Sequence, residues 1–436
     1  MRVTRRHLLT AAAVASGGLS ARSTVHGGPV PAHRLPATGR PLLQEQRHAL
    51  QETYARLDAA AQRPVLDVSM LKDPVVIEAV EVLQPAPDKY LVRVRARGGA
   101  AGLAVGNELQ MGFLYPILQQ RIAPFLIGKD ARDWEQLLEG VYVHASNYKL
   151  QGLPFWLPLA SVEFAIIDLL GRVANRSAAQ LLGGVVRSKV EVYEAFNDRD
   201  RTAQESVDRM AAGIARTGAR AVKFKVGGRM SHNADSLPGR TEAIIPLARR
   251  VLGDGLTLYA DSNGSYDVAE AIRIGRLLES VRVAFFEEPV PFDRFEDTKA
   301  VADALEVPIA GGEQDASAYN LRWSLAHDAL QIVQPDLFYF GGFVRCIRVA
   351  RMAAALGRDC TPHISGTGLG FLYMLHFAAC VPNIGAHQEF KGVDDGVPAH
   401  TPTSSLRAEG GLVTVPTGPG LGVDIDPAWV ARARVL

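Results

Sequence analysis

The chain has 436 residues, of which 47% are hydrophobic and 21% are charged, the composition of an ordinary folded protein of enzyme size. Its 47 lysines and arginines nearly balance its 46 aspartates and glutamates, which excludes a global field that would attract nucleic acid or an anionic membrane. This length predicts one large domain with a smaller one beside it.

The first residues, MRVTRRHLLTAAAVASGGLSARS, resemble a twin-arginine export signal, because Arg5 and Arg6 precede an apolar stretch from Leu8 to about Leu19. A membrane-spanning N-terminus is the alternative, but the apolar run is shorter than the roughly 20 residues that a span needs. We therefore expect residues 1–30 to hold the signal and the start of a linker. The expected location is the periplasm, with no stable membrane association once the signal is removed.

The next part of the chain predicts a small mixed domain. Residues 31–63 should contain the rest of the linker and one helix. Three alternating segments follow, VVIEAVEVLQ, YLVRVRARG and AGLAVGNE, separated by PAPDK and a Gly-Ala turn, which predicts an antiparallel meander. Helical patterns run from about Tyr115 to Leu182, so we expect residues 64–187 to form an α+β N-terminal domain.

From Val190 the pattern changes, because short β-branched or aromatic runs alternate with amphipathic segments of roughly 12 to 20 residues. Such alternation predicts a parallel sheet, and eight units predict a closed TIM-like barrel of seven or eight βα units over residues 188–390. An open doubly wound sheet is the competing architecture, but no GxGxxG follows the first strand. The runs are VEVYEA, AVKFKVG, LTLYADSN, AFFEEP, VPIAGGE, LQIVQPD, the piece before Thr361, and IGAHQEF.

Three acids end successive strand candidates: Asp261 ends LTLYAD, Glu287 ends AFFE, and Glu313 ends VPIAGGE. Neighbours are 26 residues apart, so all three should converge on the rim where such a barrel has its active site. Mutual repulsion would raise their pKa values unless a cation neutralised them, and all-oxygen ligands favour Mg²⁺, with Mn²⁺ as a substitute, over Zn²⁺. One such acid could be a helix cap or a surface ion pair, but three in register predict a metal site.

Lys223 and Lys225, in AVKFKVG, are two residues apart on a strand and so point to the same side. The apolar residues between and beside them suit the strand–helix interface, which turns both lysines toward the barrel interior. Close like charges lower a lysine pKa, so one of the pair could act as a base near neutral pH. A phosphate-binding or Schiff-base role is the main alternative.

Asp336 ends LQIVQPD, and His363 follows in TPHISGTGLG, so the two should lie on adjacent strand ends. An aspartate beside a histidine orients the ring and raises its pKa, which is the arrangement of a poised acid or base. A lone histidine is more often structural, but this position predicts a catalytic one.

Cysteine and serine chemistry fit the sequence less well. No GxSxG elbow occurs, and Ser365 lies in a glycine-rich loop with no better base than His363, which gives acyl transfer little support. The three cysteines have no CxxC or metal-finger spacing and are interpreted as buried thiols: Cys346, Cys360 and Cys380.

Lys-x-Lys on the second barrel strand, acids ending the third, fourth and fifth, an aspartate on the sixth and a histidine on the seventh closely resemble the pattern of the enolase superfamily, and of its mandelate racemase subgroup in particular. The resemblance covers essentially the whole mature chain, since the N-terminal domain resembles that family's capping domain. It implies that residues 391–436 pack back on the capping domain and complete it, and that the protein is a homo-oligomer.

The resemblance also implies roles for single residues. Lys225 would be the base on one face of the substrate, and Lys223 would pair with the substrate carboxylate. The register of the EEP motif selects Glu287 over Glu288 as a ligand. The implied Mg²⁺ ligands are Asp261, Glu287 and Glu313.

On the other face of the substrate the resemblance implies that His363, oriented by Asp336, acts as the second acid or base. Glu389, in HQEF on the eighth strand, would donate a hydrogen bond to the developing enediolate. Alternation along IGAHQEF could instead turn His387 inward.

These residues predict removal of the proton next to a substrate carboxylate, since a cation and Lys223 would stabilise the second negative charge that this step creates. His363 could then protonate a departing β-hydroxyl, giving a 2-keto-3-deoxy acid, or return a proton from the opposite face, giving racemisation or epimerisation. Dehydration of a sugar acid is the commoner activity of this residue set in the resembling subgroup, and we expect it here. A noncatalytic sugar-acid binding protein should lack at least one base, and none is missing.

Substrate recognition is less defined by the sequence. Asn263 and Tyr266, in DSNGSYD, could hydrogen-bond a polyhydroxylated small-molecule acid, although asparagine, glycine and serine also favour turns. In the resembling family, loops of the capping domain largely set specificity. Here the turn PAPDK is short, so we expect the lid to rely on the next segment, GNELQMGFLYP.

Overall fold

The structure is a computed structural model, and it describes residues 44–366, 368–393 and 396–436. The predicted export signal lies outside these residues. The fold described below is that of the compact unit His48–Leu436, together with the start of its first helix.

The N-terminal domain is built on an antiparallel sheet. Its chain-ordered strands are β1 (Ile77–Ala86), β2 (Lys89–Ala96) and β3 (Ala101–Val105), which confirms the predicted meander. One face packs on a long helix so closely that a Cβ at Gly102 would lie 2.1 Å from the carbonyl oxygen of Ala165. The helices of this region are α1 (Gln44–Ala61), α2 (Met111–Ile117), α3 (Ala123–Leu126), α4 (Trp134–Val143), α5 (Leu153–Ala174) and α6 (Ala178–Leu181).

The long helix is α5, which is the one helix in the described ranges whose length and apolar composition would allow it to cross a membrane. However, 89% of that apolar window is buried inside the protein. Asp168 on this helix accepts hydrogen bonds from the backbone of Leu103 in β3 and of Leu421 near the end of the chain, at 2.9 and 2.8 Å. The helix is therefore the core of the N-terminal domain.

Eight parallel strands form the second domain and confirm the predicted barrel. They pair in chain order, and the ring closes because Cys360 bridges Ile384 while Glu389 pairs with Tyr193 on the first strand. The strands are β4 (Lys189–Ala195), β5 (Ala221–Lys225), β6 (Thr257–Asp261), β7 (Phe285–Glu287), β8 (Ile309–Gly311), β9 (Ile332–Val333), β10 (Asp359–Cys360) and β11 (Gln388–Glu389). The helices between them are α7 (Ala203–Thr217), α8 (Arg240–Leu252), α9 (Val268–Ser280), α10 (Phe295–Ala304), α11 (Ala318–Ala326), α12 (Phe343–Ala355) and α13 (Phe371–Cys380).

The C-terminal segment returns to both domains. One of its strands pairs with the start of β4, and its last strand pairs antiparallel with β1, with Val435 opposite Leu83. The capping sheet thus has four strands, and the C-terminal segment completes the capping domain as predicted. The elements are β12 (Ala399–His400), β13 (Leu412–Thr414), β14 (Asp424–Ile425), α14 (Pro427–Ala431) and β15 (Arg434–Val435).

An apolar layer closes the inside of the barrel below the site. Tyr259 stacks on Phe285 with ring centroids 4.1 Å apart and meets Tyr193 edge-on at 5.3 Å. Because inward-pointing residues recur every second position, the next inward residues on β6 and β7 are Asp261 and Glu287. The charged residues therefore lie directly above this apolar layer, which closes the barrel beneath them.

Candidate active site

The three acids lie together at the carboxyl ends of neighbouring strands. Asp261 is opposite Glu287 in the parallel register of β6 and β7, and Glu313 follows β8 by two residues. All three are buried. Burial, with the charge of Asp261 next to it, raises the pKa of Glu287 to about 8. Three buried carboxylates on one rim therefore need positive charge close by.

The two lysines supply that charge from inside the barrel. Lys223 Nζ lies 2.8 and 2.7 Å from the two carboxylate oxygens of Glu287, and Lys225 Nζ contacts Asp261 Oδ2. Burial opposes ionisation of Asp261, yet Lys225 and Lys223 hold its pKa below its usual range.

The residue pattern left open which lysine of the pair would have the lowered pKa, and Lys223 is not that lysine. Burial alone would lower its pKa, but Glu287 and the other acids outweigh burial and raise the pKa well above its usual value. The carboxylates dominate because both oxygens of Glu287 lie within 2.8 Å of Lys223 Nζ. Lys223 is therefore a permanent cation in this arrangement, suited to binding a carboxylate.

Asp336 and His363 form the predicted pair. His363 Nδ1 lies 2.6 Å from Asp336 Oδ2, and its Nε2 lies 3.4 Å from Glu313 Oε2. The other oxygen of Asp336 accepts backbone hydrogen bonds from Phe338 and Tyr339, which fix the carboxylate. Burial would lower the pKa of His363, but Glu313 and the bond to Asp336 raise it to about 9. The ring is therefore an imidazolium at neutral pH.

A link that sequence reasoning missed joins this pair to the capping domain. Ser365 Oγ donates to Asp336 Oδ1 at 3.0 Å and accepts from Asn107 Nδ2, also at 3.0 Å. The side-chain oxygen of Asn107 accepts from the backbone of Leu109 and Gln110, just before α2. Asparagine ahead of a helix signals a cap in the sequence, but nothing there pairs it with a serine 258 residues away.

Asn263, the predicted substrate-binding residue, is buried and hydrogen-bonded to neighbouring residues of the protein. Its Oδ1 accepts from Arg199 Nη2 at 2.7 Å, and its Nδ2 donates to Glu288 Oε2 at 3.4 Å. Its backbone N–H donates to Asp261 Oδ1 at 2.8 Å, and its φ of 46° is left-handed. Tyr266 is buried, with a hydroxyl that has no hydrogen-bond partner among the described residues. Arg199 was not predicted as part of this site.

On the last strand an inward-facing Glu389 and an inward-facing His387 are not alternatives, because residues two apart on a strand point to the same side. Both point inward: Tyr193 OH donates to Glu389 Oε2 at 3.2 Å, and His387 Nδ1 lies 2.9 Å from Tyr259 OH. His387 is at the apolar floor and Glu389 at the charged level.

The electrostatics of Glu389 differ from the expected role as a hydrogen-bond donor. Lys391 Nζ lies 2.5 Å from Glu389 Oε1, and Lys223 Nζ lies 3.4 Å from Glu389 Oε2. Burial would raise the pKa of Glu389, but Lys391 and Lys223 lower it well below its usual value. Glu389 is therefore an ionised acceptor here.

The donor set fits a hard divalent cation, although the side chains engage the lysines instead. Among the described residues, no three His, Cys, Asp or Glu side chains are gathered closely enough to hold a metal ion as they stand. Yet Glu288 Oε1 is buried without a partner, and burial raises the pKa of this carboxyl well above its usual value. Acids that burial drives toward the neutral form are what a cation among oxygen ligands would stabilise.

Taken together, a capped TIM-like barrel with acids, lysines and an Asp–His pair at its strand ends defines an enzyme of the lyase or isomerase type. Residues 64–183 match the family described as mandelate racemase / muconate lactonizing enzyme, N-terminal domain, and residues 205–429 match the family described as enolase C-terminal domain-like. The chain belongs to the enolase superfamily, within its mandelate racemase subgroup.

Named relatives share this family. The chain is 29% identical to the D-galactarolactone cycloisomerase of Agrobacterium fabrum, over 72% of this chain and 84% of that one. It is 28% identical to the arabinonate dehydratase of Saccharolobus solfataricus, over 71% and 80%. A crystal structure of a mandelate racemase/muconate lactonizing protein from Paracoccus denitrificans, complexed with magnesium, superposes with a TM-score of 0.75 at 27% identity, covering 83% of this chain and 99% of that one.

Proposed function

We propose that this enzyme removes the α-proton of a sugar acid and then eliminates the β-hydroxyl as water, giving a 2-keto-3-deoxy acid. One observation carries the proposal: Lys225 and His363 contact opposite ends of the same row of carboxylates, at Asp261 and Glu313. A substrate held over that row would have one proton-transfer group at each end. The dehydratase activity of named relatives supports the elimination step.

The proposed cofactor is Mg²⁺, with Mn²⁺ as a substitute. The buried carboxylates of the three strand ends would hold it, and it would supply Lewis-acid stabilisation of the negative charge that grows on the substrate carboxylate. The magnesium complex of the Paracoccus protein supports this choice. The proposed ligands are Asp261, Glu287 and Glu313.

Side chains of the protein would carry out the proton transfers. Lys223, a buried cation, would bind the substrate carboxylate, and Lys225, as the neutral amine, would accept the α-proton as the C–H bond breaks. His363, a cation oriented by Asp336, would give its proton to the β-hydroxyl as the C–O bond breaks. The leaving group is then water, and the enol product tautomerises to the 2-keto acid.

A racemase or epimerase is the second candidate, because the same two groups could act on opposite faces of one carbon. Incubation with Mg²⁺ and a panel of sugar and hydroxy acids in D₂O separates the two. A 2-keto product identifies a dehydratase, while α-deuterium with inversion and no keto product identifies the isomerase. Binding without exchange or product would identify a noncatalytic binder and contradict both.

The variants Lys225→Ala and His363→Asn test the two roles. Each should abolish turnover while Mg²⁺ binding persists, because neither residue is a proposed ligand. The matched control Lys299→Ala changes a lysine on α10 that pairs with Asp303 on the surface, and it should behave as the wild type. Undiminished turnover in either test variant would contradict the assignment.

A further inference from the structure

Arg199 is a cation without a counter-ion at the rim of the site. It follows β4, the strand that neighbours the lysine strand β5. Among the described residues no carboxylate oxygen lies within 4.0 Å of its guanidinium, and its Nε is buried without an acceptor. Its Nη2 donates to the neutral side chain of Asn263. A partly buried guanidinium with so few acceptors carries an unused capacity to bind an anion.

Arg199 has charges of both signs around it. Burial lowers its pKa, Asp261 raises it, and Arg229 and Arg240 lower it further. The acids nearby are already engaged: Asp198 pairs with Arg209 at 2.9 Å, and Asp261 contacts Lys225. An anionic group entering here would therefore meet net attraction.

The position of Arg199 relative to the reacting centre restricts which anionic group of a substrate it could bind. Asn263 accepts from Arg199 and donates to Asp261, so the guanidinium lies two hydrogen bonds beyond a proposed metal ligand. The carboxylate next to the reacting carbon has its own cation in Lys223, deep among the acids. An anion at Arg199 would thus belong to another part of the same substrate.

We propose that Arg199 binds a second carboxylate at the far end of the substrate, so that the preferred substrates are dicarboxylic sugar acids. This rests on the proposed function and names its substrate class. Two parallel N–H···O bonds from a guanidinium match the planar carboxylate, whereas a terminal hydroxymethyl group would leave the cation unpaired.

Matched pairs of acids that differ only at the far carbon test the proposal: galactarate with galactonate, and glucarate with gluconate. The wild type should favour the diacid in kcat/KM, and Arg199→Gln should lower the diacid-to-monoacid ratio on the order of 100-fold. Arg199→Lys, which keeps the charge without the planar fork, should restore part of the ratio. Arg273→Gln, an exposed arginine on α9 that pairs with Glu242 and Glu270, is the matched control and should leave the ratio unchanged.

A binding measurement separates this proposal from the proposed function. Calorimetric titration of the inactive Lys225→Ala protein with each acid, in the presence of Mg²⁺, should show tighter binding of the diacid that depends on Arg199. Turnover of monoacids with no diacid preference would overturn the proposal and leave the dehydratase standing. Diacid-selective binding without turnover of any acid in the wild type would support Arg199 and contradict the dehydratase. Preference for 6-phosphogluconate over both members of a pair would overturn the carboxylate assignment.

Discussion

Glu287 and Glu288 are adjacent carboxylates with opposite surroundings. Glu287 faces the interior, where Lys223 and Gln334 Nε2 contact it, the latter at 3.1 Å. Glu288 has a left-handed φ of 43° and turns toward Asn263. Of the two, only Glu287 pairs with a lysine of the site.

This difference predicts that Glu287→Gln weakens Mg²⁺ binding by about 100-fold, because it removes one of three charged ligands. Glu288→Gln should bind Mg²⁺ within a few-fold of the wild type, since Glu288 hydrogen-bonds Asn263 and contacts neither lysine of the site. Calorimetric titration of both variants checks this. Loss of binding in Glu288→Gln alone would show that the metal takes the other acid.

Asn107 and Ser365 are predicted to position the Asp336–His363 pair. Ser365→Ala should lower kcat about 10-fold with little change in KM, because one buried hydrogen bond to the aspartate is lost. Asn107→Ala should act similarly, and the double variant should be no slower than the slower single one, since both act through one contact.

A discriminating readout for these two variants is exchange of the α-proton in D₂O. Lys225 would carry out that exchange without His363, so exchange should persist while keto product falls. Equal loss of exchange and product would show a general structural defect instead.

Among the helices, α5 joins the capping domain to the barrel through Glu163. This fully buried carboxyl accepts from Trp134 Nε1 at 2.6 Å on α4 and from the backbone of Val344 at 3.0 Å in α12. Burial raises its pKa from an ordinary 4.5 to about 7.

This shift predicts a loss of stability with rising pH. Between pH 4.5 and 7 the folded protein keeps a proton that the unfolded chain releases, so the free energy of unfolding falls across this window, by about 3 kcal/mol in total. Glu163→Gln should remove this contribution. Urea unfolding of both proteins at several pH values should therefore show the free energy of unfolding of the wild type falling relative to that of the variant up to pH 7. A difference in free energy that does not change with pH would contradict the prediction.

Periodic features of the elements were predictable, and contacts between distant loops were not. Alternation and βα spacing predicted the eight strands, and equal spacing placed the three acids on neighbouring strand ends. The bonds from Arg199 to Asn263 and from Asn107 to Ser365 connect irregular segments, whose paths no periodicity describes. The raised pKa of Lys223 was not predictable, because it depends on which charges are nearest, and that is a matter of distances within the barrel.

For the whole molecule we propose export by the twin-arginine route, from residues outside the described ranges. Replacing Arg5 and Arg6 with lysine should leave the protein in the cytoplasm, because the paired arginines are the feature that the export machinery reads. Cell fractionation with immunodetection checks this. Arg22→Lys, beyond the apolar stretch, is the matched control, and periplasmic recovery of the double variant would contradict the proposal.

The pairing of β15 with β1 has a consequence for biosynthesis. Arg434 Nη2 donates to Gln84 Oε1 at 2.9 Å across a separation of 350 residues. Until β15 has been synthesised, the outer edge of β1 has no hydrogen-bonded neighbour. Unpaired sheet edges can pair with other chains. Such a long-range closure is slow and comes late. The nascent chain therefore passes through a stage with a finished barrel under an incomplete cap, and this stage is where chaperones would be needed most.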